Sequence, residues 1–295
     1  MSSRRKGPRP DKSAKPAKPK REETFVPRPF EGLADECEWI ALRELVPAAT
    51  APLRLADSVI ERYGDRPVIL ATVLPLAWPA MTKTDGRVLI ALQRHVESGD
   101  PSRDLAVALQ CGLQATPGDP VPVPALPGPG PRLQDLLADG ALDVTVHDGF
   151  SFWLDPGETE DPNVKASLDR ANAQVFPTVR MAAARAAYWC RLTGQSHVRW
   201  VLPDDEDRAL DALARLGAAG ALLLGDGTRF AGMFRAHGRL VPVWDLPSAP
   251  EAADWETPLA EFAKRYAESV ATNAPLTSAE RRSRQGLVGR QKTLR

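Results

Sequence analysis

A run of seventeen residues in the middle of the chain, ATPGDPVPVPALPGPGP (115–131), contains seven prolines and three glycines. Proline fixes φ and has no backbone N–H, so this run can form neither a helix interior nor a central strand. Its composition predicts a semi-extended spacer of the polyproline type. We therefore expect an N-terminal lobe (29–114) and a C-terminal lobe (132–275) joined by this spacer. Its PxxP spacing alternatively suits docking into an SH3-like groove.

Basic residues are concentrated at both ends of the chain. Residues 1–28 hold ten Lys or Arg against three Asp or Glu, and residues 276–295 hold six against one. Because the whole chain balances 38 basic against 38 acidic residues, the 247 residues between these ends carry a net charge of −12. Residues 1–24 contain no Leu, Ile, Val or aromatic residue, so burial cannot offset the entropy cost of ordering them. The sequence predicts disordered basic tails at 1–28 and 276–295 around an acidic body.

The two tails are candidates for contact with a polyanion through charge and counterion release. The candidate side chains are Arg4, Arg5, Lys6, Arg9, Lys12, Lys15, Lys18, Lys20, Arg21, Arg281, Arg282, Arg284, Arg290 and Lys292. RNA, the ribosome, DNA, anionic lipid or another protein could provide the opposing surface. Alternatively, the tails keep the chain in solution or rest on its own acidic body.

The body between the tails alternates helical and strand patterns in both lobes. Apolar spacing predicts helices and buried strands, which together indicate an α+β fold of two lobes. Hairpins are expected over 144–154, around a TGQS turn at 193–196, and around a turn formed by Ala236, His237 and Gly238. A helix is expected behind Asp100 and Pro101, because aspartate suits the N-cap and proline suits the first helical position. A short strand is expected over 222–224. The segments 80–93 and 232–245 resemble each other, so an internal duplication is possible, as is chance.

Motifs for catalysis or cofactor binding do not occur. The chain has no G-x-x-x-x-G-K-[ST], no G-x-S-x-G and no H-E-x-x-H, so we assign no catalytic, cofactor-binding or metal-binding residue. The four histidines are isolated, and the acidic clusters stand at predicted helix starts, where they suit capping. The residues therefore predict no cofactor and favour a protein that is not an enzyme, while they leave an enzymatic role open.

Tryptophans in the C-terminal half suggest one candidate pocket. Four of them fall on predicted strands, where they could line a pocket or form the core instead. With a histidine at a turn, a cysteine beside an arginine and an acidic residue, the candidate pocket residues are His147, Trp153, Trp189, Cys190, Trp200, Asp204 and Trp244.

Several segments in a fixed order resemble a known family. They are PFEGLADECEWIALRELVPAAT, VLPLAWPAM, SGDPSRDLA, PRLQDLL, AYWC, HVRWVLP, LDALARL, FRAHGRLVPVWDLP and APLTSAERRSRQGLVGRQ. The chain from about Pro29 onwards is similar to an actinobacterial family of uncharacterised proteins that share a domain of unknown function. Some members of that family carry an N-terminal SEC-C zinc segment. The first 28 residues of this chain contain no cysteine or histidine, so the resemblance does not extend to that zinc site.

Cysteine usage and hydropathy indicate the compartment. Three widely spaced cysteines do not form a disulfide framework, no apolar signal follows the basic N-terminus, and no apolar run is long enough to span a bilayer. We expect a cytoplasmic protein without a transmembrane segment. Its predicted role is that of a non-enzymatic binding or adaptor protein. The alternatives are a nucleic-acid or ribosome-associated factor, and a small-molecule enzyme that uses the Trp-rich C-terminal lobe.

Overall fold

The computed structural model describes residues 25–124, 126–155, 158 and 161–289. In these residues, ten strands form two five-stranded sheets and seven α-helices pack around them. The predicted α+β fold is therefore confirmed. No helix in the described part of the chain combines the length and apolarity needed to cross a membrane.

The first sheet has the strand order β3-β4-β2-β1-β5. Its strands are β1 (Ala49–Leu53), β2 (Val68–Ala71), β3 (Ala80–Thr82), β4 (Val88–Ala91) and β5 (Thr145–Val146). All neighbouring strands are antiparallel except β2 and β4. The helices on this side are α1 (Glu36–Glu44), α2 (Asp57–Tyr63) and α3 (Pro101–Gln114). Alternate residues of β2 and β4 share one core with these helices, as the period-two strand pattern requires.

Both ends of α3 are capped by side chains. At the start, the Asp100 carboxylate accepts from the Arg103 N–H and Pro101 takes the first helical position, as the sequence predicts. At the end, the Arg66 guanidinium donates to the carbonyls of Gly112 (3.2 Å) and Leu113 (3.0 Å). The helix is therefore held at a fixed place against β4.

The proline-rich segment does not separate the two lobes in the expected way. The Arg103 guanidinium of α3 donates to the carbonyls of Gly128 and Pro131, both at 2.9 Å, so the segment is tied to the first lobe. Beyond it, Leu133 and Leu142 enter the first core and β5 pairs with β1. Burial of these leucines places the chain up to Val146 with the first sheet, although it follows the proline-rich segment.

The second sheet is antiparallel throughout, with the order β6-β7-β8-β10-β9. Its strands are β6 (Thr178–Arg180), β7 (Ala187–Leu192), β8 (Gln195–Trp200), β9 (Arg229–Ala236) and β10 (Arg239–Leu246). The remaining helices are α4 (Pro162–Asn172), α5 (Glu206–Ala218), α6 (Glu256–Val270) and α7 (Ser278–Gly289). One face of this sheet packs on α5, α6 and α7. Part of the other face, including Tyr188 and Val241, belongs to the first core, so the two lobes share a continuous apolar interior.

Two local predictions are wrong. The expected hairpin over 144–154 does not form, because β5 pairs with β1 and Ser151–Trp153 is a 3-10 turn. The expected strand over 222–224 is an irregular connection. The two similar segments do form hairpins, and β3-β4-β2-β1 follows the same spatial order as β9-β10-β8-β7. However, β2 and β4 are parallel whereas β8 and β10 are antiparallel, so the duplication stays a prediction.

The C-terminal segment also differs from the expected tail. Residues 278–289 form α7, which starts with a reciprocal contact: the Glu280 carboxylate accepts from the Thr277 N–H, and the Thr277 hydroxyl accepts from the Glu280 N–H. Leu287 of α7 is buried in the second core. A side chain at Gly217 would collide with Ser283, so this glycine allows α5 and α7 to approach closely. Apolar burial and the cap together order a segment whose charge suggested a tail.

Candidate functional site

The predicted tryptophan pocket is not assembled. Trp189, Trp200 and Trp244 lie in the second core, on the sheet face that packs against the helices. Trp153 lies elsewhere: it packs on the first sheet, and its indole N–H donates to the Val73 carbonyl at 2.9 Å. The core interpretation of these side chains therefore matches their positions.

The polar members of the predicted pocket are also dispersed. His147 is half-buried beside β1, where its Nε2 lies 2.8 Å from the Thr50 hydroxyl and burial lowers its pKa. Asp204 accepts a 2.9 Å hydrogen bond from the Tyr266 hydroxyl. Cys190 is on β7 but on the opposite face from the neighbouring Trp189, because side chains alternate along a strand. None of these three lies with the tryptophans as a pocket would require.

Cys190 belongs instead to a polar row that crosses four adjacent strands. In the sheet register Cys190 is opposite His197, His197 is opposite Asp245, and Asp245 is opposite Arg229. Directly opposed residues of antiparallel strands have their side chains on the same face about 5 Å apart. The register therefore brings a thiol, an imidazole, a carboxylate and a guanidinium onto one face of the second sheet.

Contacts within the row hold the Asp245 carboxylate between two neighbours. His197 Nδ1 lies 3.0 Å from Asp245 Oδ1, and the Arg229 guanidinium forms an ion pair with Asp245 Oδ2. The aspartate side chain is only 11% exposed, whereas that of Arg229 is 72% exposed. Asp245 is therefore fixed at the sheet surface, and its positively charged partner Arg229 is mostly exposed to solvent.

Arg199 lies on the same face of the sheet, two residues after His197 on β8. It donates to the Cys190 sulfur, and its guanidinium lies 5.7 Å from the centre of the Phe176 ring. No carboxylate in the described residues forms an ion pair with Arg199, and its Nε is buried without a hydrogen-bond partner. Burial raises the pKa of the Cys190 thiol, although the Arg199 charge opposes this. The thiol is therefore protonated near neutral pH, and no described carboxylate compensates the arginine charge.

Three of these side chains, His197, Arg199 and Asp245, border a recess of about 180 Å³, which we call the sheet recess. Its apolar walls are Leu192, Ala231, Gly232, Phe234 and Val243. Met233 borders it from β9, but the Met233 side chain belongs to the second core. The recess lies next to the part of the sheet that the first core covers, since Phe234 belongs to that core and Val243 packs against it.

A bulge in β9 explains why the sheet surface is hollow here. The register shifts between Val243 and Trp244, so that β9 contributes Ala231 as an extra residue. Gly232 follows with φ 129°, a backbone conformation that side-chain-bearing residues rarely adopt, and it is paired with Val243. Gly232 therefore presents only backbone to this face of the sheet.

The sequence carried a signal for the row that the motif search did not use. Thr193 and Gly194 both have positive φ and form a two-residue turn, so β8 starts at Gln195, two residues before the predicted start. A two-residue turn fixes the register that pairs Cys190 with His197. Asp245 and Arg229 could not be added in this way, because their place beside β8 depends on long-range pairing.

The predicted polyanion contacts divide into two groups. The first group lies outside the described residues and comprises the candidates from Arg4 to Arg21, with Arg290 and Lys292. The second group lies on α7. Arg281 and Arg282 are exposed on α7. Arg284 donates to Asp211 (2.7 Å) and to Asp207 (2.8 Å) of α5, so its charge is already paired within the fold.

Metal-ligand geometry is not found in the described part of the chain, where no group of three or more His, Cys, Asp or Glu side chains could hold an ion. Comparison with known proteins gives no curated relative and no solved structure that matches. The model of one family of unknown function, DUF5926, matches residues 29–295. This match agrees with the family resemblance found in the sequence and covers both sheets and the sheet recess. The chain therefore belongs to the DUF5926 family of proteins of unknown function.

Proposed function

We propose that this chain is a non-enzymatic binding protein and that the sheet recess is its ligand site. The observation that carries this proposal is the open polar face of the second sheet: a recess with an arginine and a His–Asp pair that neither core uses. Polar groups converging on a small apolar hollow are the usual features of a ligand site.

One feature favours binding over catalysis at this place. Cys190, the nucleophile candidate of the row, is fully buried and its pKa is raised, so the reactive thiolate is disfavoured. His197 Nδ1 is held by Asp245, which orients the ring beside the recess. All three cysteines are free thiols, which supports the further proposal of a cytoplasmic location.

Filling the recess tests the proposal. We expect a thermal-shift screen of small metabolites to yield ligands that stabilise the native protein but not the Val243→Phe variant. A ligand at ten times its Kd adds about 1.4 kcal/mol of stability, which corresponds to a rise in Tm of about 2–4 °C. The matched control is Val179→Phe, at an exposed position of β6 in the same sheet, which should respond like the native protein.

Two results would contradict this function. One is a library in which no compound raises the Tm of the native protein. The other is an equal response of Val243→Phe to every hit. Ala231→Leu places a leucine side chain in the same recess from another strand. We expect the hits to raise the Tm of this variant less than they raise that of the native protein. A weakened response in both variants indicates a blocked site rather than one misfolded variant.

A second candidate function is polyanion binding by the basic N-terminal segment, which would make the protein an adaptor or a nucleic-acid-associated factor. It is supported by a charge of +7 within residues 1–28. A dense polyanion gains counterion-release entropy that a scattered acidic surface hardly offers. The Arg284 contacts with Asp207 and Asp211 support the competing arrangement, in which basic segments rest on the acidic body.

Deleting residues 1–24 distinguishes the two arrangements. The whole chain should bind RNA or DNA without sequence preference, with a Kd of roughly micromolar or weaker near physiological salt. The deletion should remove more than half of the salt dependence of binding, measured by titration at several salt concentrations, and leave Tm almost unchanged. The polyanion function is wrong if the truncated chain binds RNA or DNA as well as the whole chain does, or if neither chain binds at low salt. The basic segment would then keep the protein in solution or rest on its acidic body.

A further inference from the structure

We propose that the sheet recess binds a small carboxylate with a short apolar substituent, and that the Arg199 guanidinium is its anchor. The proposal rests on the proposed function, since it names the ligand class of the same site. It is carried by three properties of the recess: its charge balance, its apolar walls and its size.

The charge balance favours an anion. The described charged side chains around the recess are two arginines, Arg199 and Arg229, and one aspartate, Asp245. Arg229 and Asp245 compensate each other as an ion pair, which leaves the charge of Arg199. A guanidinium presents parallel N–H donors that match the two oxygens of a carboxylate, whereas its thiol partner Cys190 offers only a weak acceptor. A carboxylate in the recess would supply the counter-ion that none of the described side chains provides.

The walls and the size limit what can accompany the carboxylate. Leu192, Phe234 and Val243 make the lining mainly apolar, so a hydrocarbon substituent would be removed from water on binding. The recess volume of about 180 Å³ is below the roughly 300 Å³ at which sites for drug-sized ligands begin. This size suits a branched acid of four or five carbon atoms.

A matched pair of probes tests the proposal on the full chain. Isovalerate and isovaleramide have the same shape and differ in charge. Methyl NMR of the valines provides the readout, because Val243 lines the recess whereas Val198 lies in the second core. We expect isovalerate to shift the Val243 signals saturably while those of Val198 are unaffected, with isovaleramide at least tenfold weaker.

Variants at the anchor complete the test. Arg199→Gln should weaken isovalerate binding at least tenfold, and Arg199→Lys should recover part of the loss because it restores the charge without the fork of donors. Arg87→Gln, at an exposed arginine of the first lobe, is the control and should bind like the native protein. Loss of Arg199 breaks no ion pair among the described residues, and an unchanged Tm will show that the variant is folded.

The outcomes separate this inference from the proposed function. If isovaleramide binds as well as isovalerate, or if Arg199→Gln binds both equally well, the carboxylate assignment is overturned while the recess remains a binding site. If neither probe shifts the Val243 signals but an unrelated neutral compound does, the ligand class is wrong and the site stands. If no compound of any class shifts the Val243 signals, the proposed function fails as well.

Discussion

Replacing Glu38 with glutamine is expected to lower the free energy of unfolding by about 3–5 kcal/mol. Glu38 lies on α1 with no exposed surface, between the two sheets. Its carboxylate accepts from Arg180 at 2.7 Å, from the Ala186 N–H at 3.1 Å and from the Tyr188 hydroxyl at 2.7 Å. Burial and this carboxylate together raise the pKa of Tyr188, so its hydroxyl stays a donor. The donors come from β6, from β7 and from the loop between these strands, and the acceptor comes from the first lobe.

The glutamine variant keeps the size of the side chain and removes its charge. The NH₂ group of the glutamine would face the hydrogen-bond donors that surround Glu38 in the native protein. The Arg180 and Arg185 guanidinium groups would also lose the buried counter-ion that they share. Urea unfolding followed by tryptophan fluorescence measures the loss.

Glu31→Gln is the matched control, because Glu31 also pairs with an arginine, Arg28, but is 62% exposed. We expect it to cost less than about 1 kcal/mol. A Glu38→Gln variant no less stable than the Glu31→Gln control would show that the buried carboxylate does not hold the lobes together.

Replacing Trp244 with alanine is expected to cost about 3–5 kcal/mol as well, by creating a cavity in the second core. Trp244 is fully buried, its ring lies 5.8 Å from that of Phe230 and 4.9 Å from that of Phe262, and its indole N–H donates to the Leu222 carbonyl at 2.8 Å. The substitution therefore removes edge-to-face contacts and leaves a carbonyl without its donor.

The same variant tests whether the tryptophans form core or pocket. Trp244 lies on the helix-covered face and the sheet recess on the other, so ligands of the recess should bind the folded fraction of Trp244→Ala almost unchanged. The control is Trp78→Ala, at a tryptophan that is 45% exposed, with an expected cost under about 1 kcal/mol. A Trp244→Ala variant of native stability that had lost ligand binding would restore the tryptophan pocket.

Local sequence signals determined most of the individual elements. Asp100 followed by Pro101 marked the start of α3, because a side-chain acceptor and a preset φ act over only a few residues. Apolar runs with turn residues between them marked the β7–β8 and β9–β10 hairpins for the same reason. The α+β class followed from the alternation of these patterns. The family resemblance followed from ordered segments along the chain.

Tertiary contacts decided what the sequence left open. The chain beyond the proline-rich segment joins the first sheet because Leu133 and Leu142 are buried there, and α7 is ordered because Leu287 and Arg284 find partners on the second lobe. The sheet recess depends on the pairing of β8 with β10 and on the bulge in β9, which bring together residues as far apart in the chain as His197 and Asp245. Such pairing is set by which faces can be buried together, and this is a property of the whole chain rather than of any one segment.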